Sequence, residues 1–137
     1  MSLDEALKAE HAAIYGYGVL GAHLSGATVG LATQAEAAHR ARRDALVLRL
    51  AATGATPPPA EPVYGLPAPV TDQAGALRLA VVIEERTAVV WRAALAATTD
   101  QDRRLALDAL SDCAVRATRV RRAAGVTPPT VPFPGRP

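Results

Sequence analysis

Three ionisable side chains interrupt apolar stripes that recur every three or four residues, the spacing of a buried helix face. They are Glu10, His39 and Glu84. Glu36 lies three residues before His39, so both side chains can reach one ion from the same side of a helix. Carboxylate oxygens together with an imidazole nitrogen suit iron, manganese or zinc. The spacing therefore predicts a metal site with Glu10, Glu36, His39 and Glu84 as ligands.

The last helical segment offers no matching ligand pair. Its apolar stripe carries Leu110 and Cys113 at the level where a complete dinuclear centre would need a Glu and a His. Asp112 is the nearest carboxylate, but at 100° per residue it lies about 120° from the centre of the stripe. Asp112 and Arg116, four residues apart, are typical of a surface ion pair. The predicted metal site is therefore incomplete.

A second interpretation of the same residues needs no metal. Each buried acid could instead be a charge that is neutralised by Arg42, Arg43 or Arg86, because an unpaired carboxylate away from water is costly. Tyr17 shares the apolar stripe of Glu10, and we expect its ring in the core with its hydroxyl on a carboxylate. The distances among these side chains decide between the two interpretations.

Prolines and glycines divide the chain into four predicted helices. These run to about residue 25, from about 28 to 53, from about 71 to 98 and from about 100 to 124. The connection 54–70 contains six prolines and two glycines and has no apolar period. Short, long and short connections predict an all-α, ferritin-like four-helix bundle with a Pro-rich crossover between helices two and three. Residues 1–125 should form this bundle, and 126–137, with five prolines, a flexible tail.

The amino-acid composition argues against several other classes of protein. The chain has 137 residues, enough for one domain, and its 4% of aromatic residues leave the core to Ala, Val and Leu. A single Cys excludes a disulfide framework and suits a reducing cytoplasm. The acidic N-terminus has no signal peptide pattern, and no run of about 18 apolar residues predicts a membrane helix. The net charge of +2 is too small to predict nucleic-acid binding.

Two further patterns bear on contacts between helices. A second apolar strip follows the outer side of the third helix, and it predicts a two-fold homodimer. Its members are Leu79, Val82, Val89 and Val90. Residues 16–21 match the dinucleotide pattern G-x-G-x-x-G, but no strand precedes them. We therefore expect these glycines to allow close helix approach.

Five segments together resemble an actinobacterial family of ferritin-like proteins of unknown function, the domain-of-unknown-function 4439 group. They are AEHAAIYGYG at 9–18, HRARRD at 39–44, LPAPV at 66–70, EER at 84–86 and DALSDCAVR at 108–116. The resemblance implies a ferritin-like bundle and brings no established activity. It extends the ligands of the wider superfamily only to Glu10, Glu36, His39 and Glu84.

Three functions follow from these predictions. The first is a non-catalytic, metal-free domain that forms a homodimer or binds a partner. The alternative is a degenerate carboxylate/His site that binds iron, with ferrous oxidation or sequestration, which would make the protein an oxidoreductase of the di-iron-carboxylate type. The third is an anion or small-molecule site between helices. No nucleophile–base pair supports hydrolase or transferase chemistry.

Overall fold

Four α-helices make up most of the structure, a computed structural model that describes residues 2–137. They are α1 (Ser2–Leu20), α2 (Ala27–Ala52), α3 (Gln73–Ala97) and α4 (Asp100–Ala123), and a 3-10 turn at Gly21–His23 follows α1. No strand occurs in residues 2–137, so the all-α prediction and the number of helices are confirmed. None of the helices described is long and apolar enough to span a bilayer.

The helix ends follow from local hydrogen bonding. The Asp72 side chain accepts a 2.7 Å hydrogen bond from the Gly75 N–H, which satisfies one of the free donors at the start of α3. Gly125, at φ +73°, ends α4. Its N–H donates to Arg122 O, and the next N–H donates to Arg121 O, which is the Schellman pattern of a glycine-terminated helix. Both ends lie within two residues of the predicted bounds of about 71 and 124.

The core consists of two apolar clusters with a polar layer between them. One cluster contains the start of α1, the end of α2, the second half of α3 and the first half of α4, with Leu7, Leu46 and Trp91 fully buried. The other contains the opposite ends of the same helices, including Leu20. Glu10, His39 and Glu84 fall between the clusters along their helices, so the polar layer lies at mid-height.

Three pairs of helices pack closely against each other. Helix α3 packs against α4 and α1, and α1 packs against α2, whereas α2 and α4 share only a few contacts. A Cβ atom on Gly16 would lie 2.5 Å from Ile83 Cδ1, while one on Gly18 or Gly21 would have no neighbour within 4 Å. Of the three glycines in this pattern, Gly16 is therefore the one that allows α1 and α3 to approach.

The Pro-rich linker, residues 53–72, lies on the outer side of α1 and α3. Its residues 64–67 line a cleft together with Leu79 and Val82 of α3. Leu66 and Val70 of the linker pack against the second cluster, and Leu79 is only 5% exposed. Part of the strip predicted to form a dimer interface is thus covered by the chain's own linker. The sequence pattern did not predict this because the linker has no apolar period.

The C-terminal tail, residues 126–137, also lies against the helices. Arg121 of α4 donates a 3.2 Å hydrogen bond to Pro129 O, and Arg92 of α3 donates one of 3.4 Å to Pro134 O. Gly135 has a φ of +77°, and a Cβ atom there would lie 2.6 Å from Ala88 O. A larger side chain at this position would clash with α3, so the contact requires a glycine.

Candidate functional site: a buried ion network

Three of the four side chains predicted as ligands meet at the centre of the bundle. His39 Nδ1 lies 2.5 Å from Glu10 Oε2, and His39 Nε2 lies 2.8 Å from Glu84 Oε2. Glu10, His39 and Glu84 are 1%, 2% and 0% exposed. One imidazole ring therefore bridges two carboxylates from different helices, away from water.

The other carboxylate contacts come from α1, α3 and α4. Trp91 Nε1 donates a 2.8 Å hydrogen bond to Glu10 Oε1. The Tyr17 hydroxyl donates one of 2.5 Å to Glu84 Oε2, as the sequence predicts, and Arg116 Nη1 donates one of 3.3 Å to Glu84 Oε1. Every oxygen of the two buried carboxylates thus has a donor, which is the condition under which such groups are tolerated in a core.

The network continues to the seam between α2 and α4. Arg116 Nη2 donates a 2.8 Å hydrogen bond to Asp112 Oδ2, and Arg42 Nη2 lies 3.6 Å from the same oxygen. The Arg42 guanidinium carbon is 6.0 Å from the centroid of the Trp91 ring, at the outer range of a cation–π contact. Arg42 Nη1 is buried and has no hydrogen-bond partner among the described groups. Asp112 is 39% exposed and connects the network to solvent.

The charges of this network balance. Its acids are Glu10, Glu84 and Asp112, and its cations are Arg42, Arg116 and protonated His39. Separating one of these partners from the rest would leave an uncompensated charge in a medium of low dielectric constant, which is costly. The ion pair between Asp112 and Arg116, expected to be a surface feature, is therefore also the outer part of a buried network.

Hydrogen bonding keeps His39 protonated at neutral pH. Burial alone would lower the pKa of His39, but the hydrogen bonds to Glu10 and Glu84 outweigh burial and raise the pKa to about 9. For Glu84, burial would raise the pKa, but the hydrogen bond and charge of His39, with help from Arg116, lower the pKa below its usual value. The bridge is therefore an imidazolium between two carboxylates, with both ring nitrogens donating.

We expect the stability of the protein to fall on the alkaline side. Because the pKa of His39 rises from 6.5 in the unfolded chain to about 9, its contribution is complete below pH 6.5 and is lost as the pH rises through about 9. The loss amounts to about 3 kcal/mol at 1.36 kcal/mol per pKa unit. Urea denaturation at a series of pH values measures it. On the acid side, the contribution of Glu84, whose pKa is lowered from 4.5, is lost only as the pH falls below that value.

No neighbour of His39 accounts for this loss of stability at alkaline pH, so we assign the loss to the imidazole. Glu10 and Tyr17 face it from α1 and Glu84 from α3, while Arg116 and Cys113 approach Glu84 from α4. Burial raises the pKa of Tyr17 and of Cys113 well above their usual values, so neither ionises first. A His39→Gln variant should lose the alkaline slope. An equal slope in the variant and the wild type would contradict the assignment to His39.

Glu36 does not join the buried group. Its carboxylate accepts a 2.6 Å hydrogen bond from Arg40 Nη2 on the outer side of α2. A residue three positions before His39 is rotated by about 60° around the helix axis, and here that rotation directs the side chain towards the surface. Arg43 pairs with Asp44 instead of a buried acid. Arg42, one of the arginines expected to neutralise a buried acid, lies 3.6 Å from Asp112 Oδ2. The sequence did not reveal the hydrogen bonds that Trp91 and Arg116 donate to the buried acids.

The donor set of this site fits a proton better than a metal ion. A metal ligand histidine offers an unprotonated nitrogen, whereas both nitrogens of His39 face carboxylate oxygens within 2.8 Å. The guanidinium of Arg116 also contacts Glu84, where it would oppose a second cation. Within residues 2–137, no group of three or more His, Cys, Asp or Glu side chains has an arrangement suited to a metal ion.

The fold and the site together define an all-α protein of four helices with a closed ion network at its centre. The chain belongs to the family described as domain of unknown function DUF4439, whose model matches residues 2–137. This confirms the resemblance to the domain-of-unknown-function 4439 group. The chain is also similar to the conserved hypothetical protein rv2844 of Mycobacterium tuberculosis, at 43% identity over 89% of this chain and 93% of that one, and its crystal structure matches with a TM-score of 0.86. No protein of curated function matches the sequence.

Proposed function

We propose that this protein is a ferritin-like bundle in which a proton on His39 and two arginines replace metal ions, and that it acts as a non-catalytic binding domain. The observation that carries the proposal is the imidazolium bridge between Glu10 and Glu84. It uses the donor atoms that a carboxylate/His centre would give to a metal. The same atoms are therefore committed to holding the helices together.

The order of the helices supports the ferritin-like part of the proposal. The first apolar cluster combines the start of α1 with the end of α2, the second half of α3 and the first half of α4. Helices α2 and α3 therefore run in the same direction, and residues 53–72 return the chain from one end to the other. Up–down pairs joined by one long connection are the ferritin-like arrangement.

The raised pKa of His39 supports the part of the proposal that says no metal binds. To bind a metal, His39 would have to lose a proton held with a pKa of about 9. At pH 7 that costs about 3 kcal/mol before any ligand bond forms. A metal would also have to compete with the hydrogen bonds of Trp91 and Arg116 to the same carboxylates.

Elemental analysis combined with titration of Fe²⁺, Mn²⁺ and Zn²⁺ tests the proposal. We expect a stoichiometry near zero for the wild type, with no change in the double variant Glu36→Ala/His39→Ala. Glu36→Ala alone is the matched control, because this residue lies on the same helix but outside the network. Stoichiometric binding that is lost with His39 would overturn the proposal and favour the metal alternative with Glu10, His39 and Glu84 as ligands.

Homodimerisation through α3 stays a prediction. Leu79 is already buried within one chain, and Val82 lies beside the linker. A second copy seated on this strip would therefore contact linker residues 64–67 as well as the helix. The partner surface of the proposed binding domain would in that case include the linker.

A further inference from the structure

A cleft of about 420 Å³ lies between α3, α4 and the C-terminal tail. This volume is within the range of about 300–1,000 Å³ that is typical of small-molecule sites. Most of its wall is apolar, and small side chains on the helices provide the space. The apolar lining residues are Ala88, Val89, Ala114, Ala117, Val131 and Phe133.

The tail forms one side of the cleft and contacts α3 directly. Gly135 packs on Ala88 O so closely that a Cβ atom would lie 2.6 Å from it, and Arg92 donates a hydrogen bond to Pro134 O. Phe133, only two residues before this contact, lines the cleft. The aromatic side chain is 60% exposed, so its ring forms an open side of the cleft.

The charges that line the cleft do not balance, in contrast to those of the ion network. Glu84 is paired with His39 and Arg116, and Glu85 accepts a 2.8 Å hydrogen bond from Arg121. Arg86 and Arg136 also line the cleft, and within residues 2–137 neither forms an ion pair with an acid. Both guanidinium groups are exposed, and the guanidinium carbon of Arg136 lies 5.6 Å from the centroid of the Phe133 ring. Because neither has an acidic partner, both can attract an anion.

We propose that this cleft binds an amphipathic monoanion, a molecule with an apolar alkyl or aryl body and one carboxylate. The body lies among the Ala, Val and Phe side chains, and the carboxylate faces Arg86 and Arg136. Apolar burial and a charge-assisted hydrogen bond then act on the two ends of one ligand. The proposal does not depend on the state of the ion network.

Calorimetric titration of the full chain with decanoate and with 1-decanol tests the charge requirement. We expect saturable binding of decanoate, weakened about tenfold in Arg86→Gln/Arg136→Gln, which is the loss expected of about one charge-assisted hydrogen bond. Arg104→Gln, at the opposite end of α4, is the matched control and should bind as the wild type does. No saturable binding, or equal binding of decanoate and 1-decanol, would overturn the proposal.

A second measurement locates the ligand by NMR, through the methyl groups of Val89 and Val131, which line the cleft. Saturating decanoate should shift these methyl resonances and leave those of Leu48, which is exposed on α2, unchanged. Ala117→Phe, which fills the cleft, should abolish decanoate binding, and Ala45→Phe, on the exposed side of α2, is the control. The methyl shifts of the wild type decide the location if Ala117→Phe disturbs folding. Unshifted Val89 and Val131 methyl groups at saturating decanoate would contradict the site.

Discussion

Replacing His39 with alanine should lower the free energy of unfolding by about 3–5 kcal/mol. The variant removes the cation that lies 2.5 Å from Glu10 and 2.8 Å from Glu84, and it leaves two carboxylates in a core where both are almost completely buried. Of these two carboxylates Arg116 contacts only Glu84, so Glu10 would keep Trp91 as its single donor. Urea denaturation followed by circular dichroism at neutral pH measures the loss.

Two controls distinguish the destabilisation caused by an unpaired buried charge from that caused by the removal of a side chain. Glu36→Ala removes an ionisable residue three positions away and should change stability by no more than about 0.5 kcal/mol, because Glu36 has only a surface partner. In a Glu10→Gln/Glu84→Gln background, His39→Ala should cost less than it does alone, since no buried negative charge is then left unpaired. If His39→Ala proved as mild as Glu36→Ala, the ion network would not be a source of stability.

The second large loss of stability is expected on substitution of Trp91, the only tryptophan of the chain. Trp91→Ala should cost about 3–5 kcal/mol, because it removes a fully buried ring from the first apolar cluster and leaves a cavity. Trp91→Phe keeps most of the packing but withdraws the N–H from Glu10 Oε1, and it should cost about 1–3 kcal/mol. The same denaturation measurements, made side by side, give both values.

The difference between these two variants separates packing from hydrogen bonding. Glu10→Gln is itself costly, because it takes one negative charge from the balanced network. The double variant Glu10→Gln/Trp91→Phe should therefore cost less than the sum of the two single variants, since the N–H of Trp91 no longer has a carboxylate to bind. Trp91→Phe with wild-type stability would show that the N–H contributes nothing to holding Glu10.

The sequence predicted the helices and the level of the three central residues because both depend on local spacing. An apolar period of three to four residues identifies the buried side of each helix, so Glu10, His39 and Glu84 could be placed on inward stripes. Three connected helices of similar length then bring their middles to one height. The capping residues at Asp72 and Gly125 could be predicted for the same local reason.

The contacts that decide the chemistry are not local, and the sequence could not supply them. Arg116 has an obvious partner four residues away in Asp112, and nothing in the sequence indicates that its guanidinium also reaches Glu84 on another helix. The i, i+3 relation of Glu36 and His39 left open a rotation of about 60°, which decides between a ligand and a surface pair. The position of the linker on α3 depends on packing by residues without any period, such as Leu66.

The polar layer at mid-height has a consequence for how the core can evolve. Because the layer separates the two apolar clusters, side chains such as Leu7 in one and Leu20 in the other cannot exchange volume across it. A gain in size at one end of the molecule must be matched by a loss at that same end. Substitutions in one cluster are therefore compensated within that cluster. The residues of the polar layer pack against both clusters and must remain compatible with each of them.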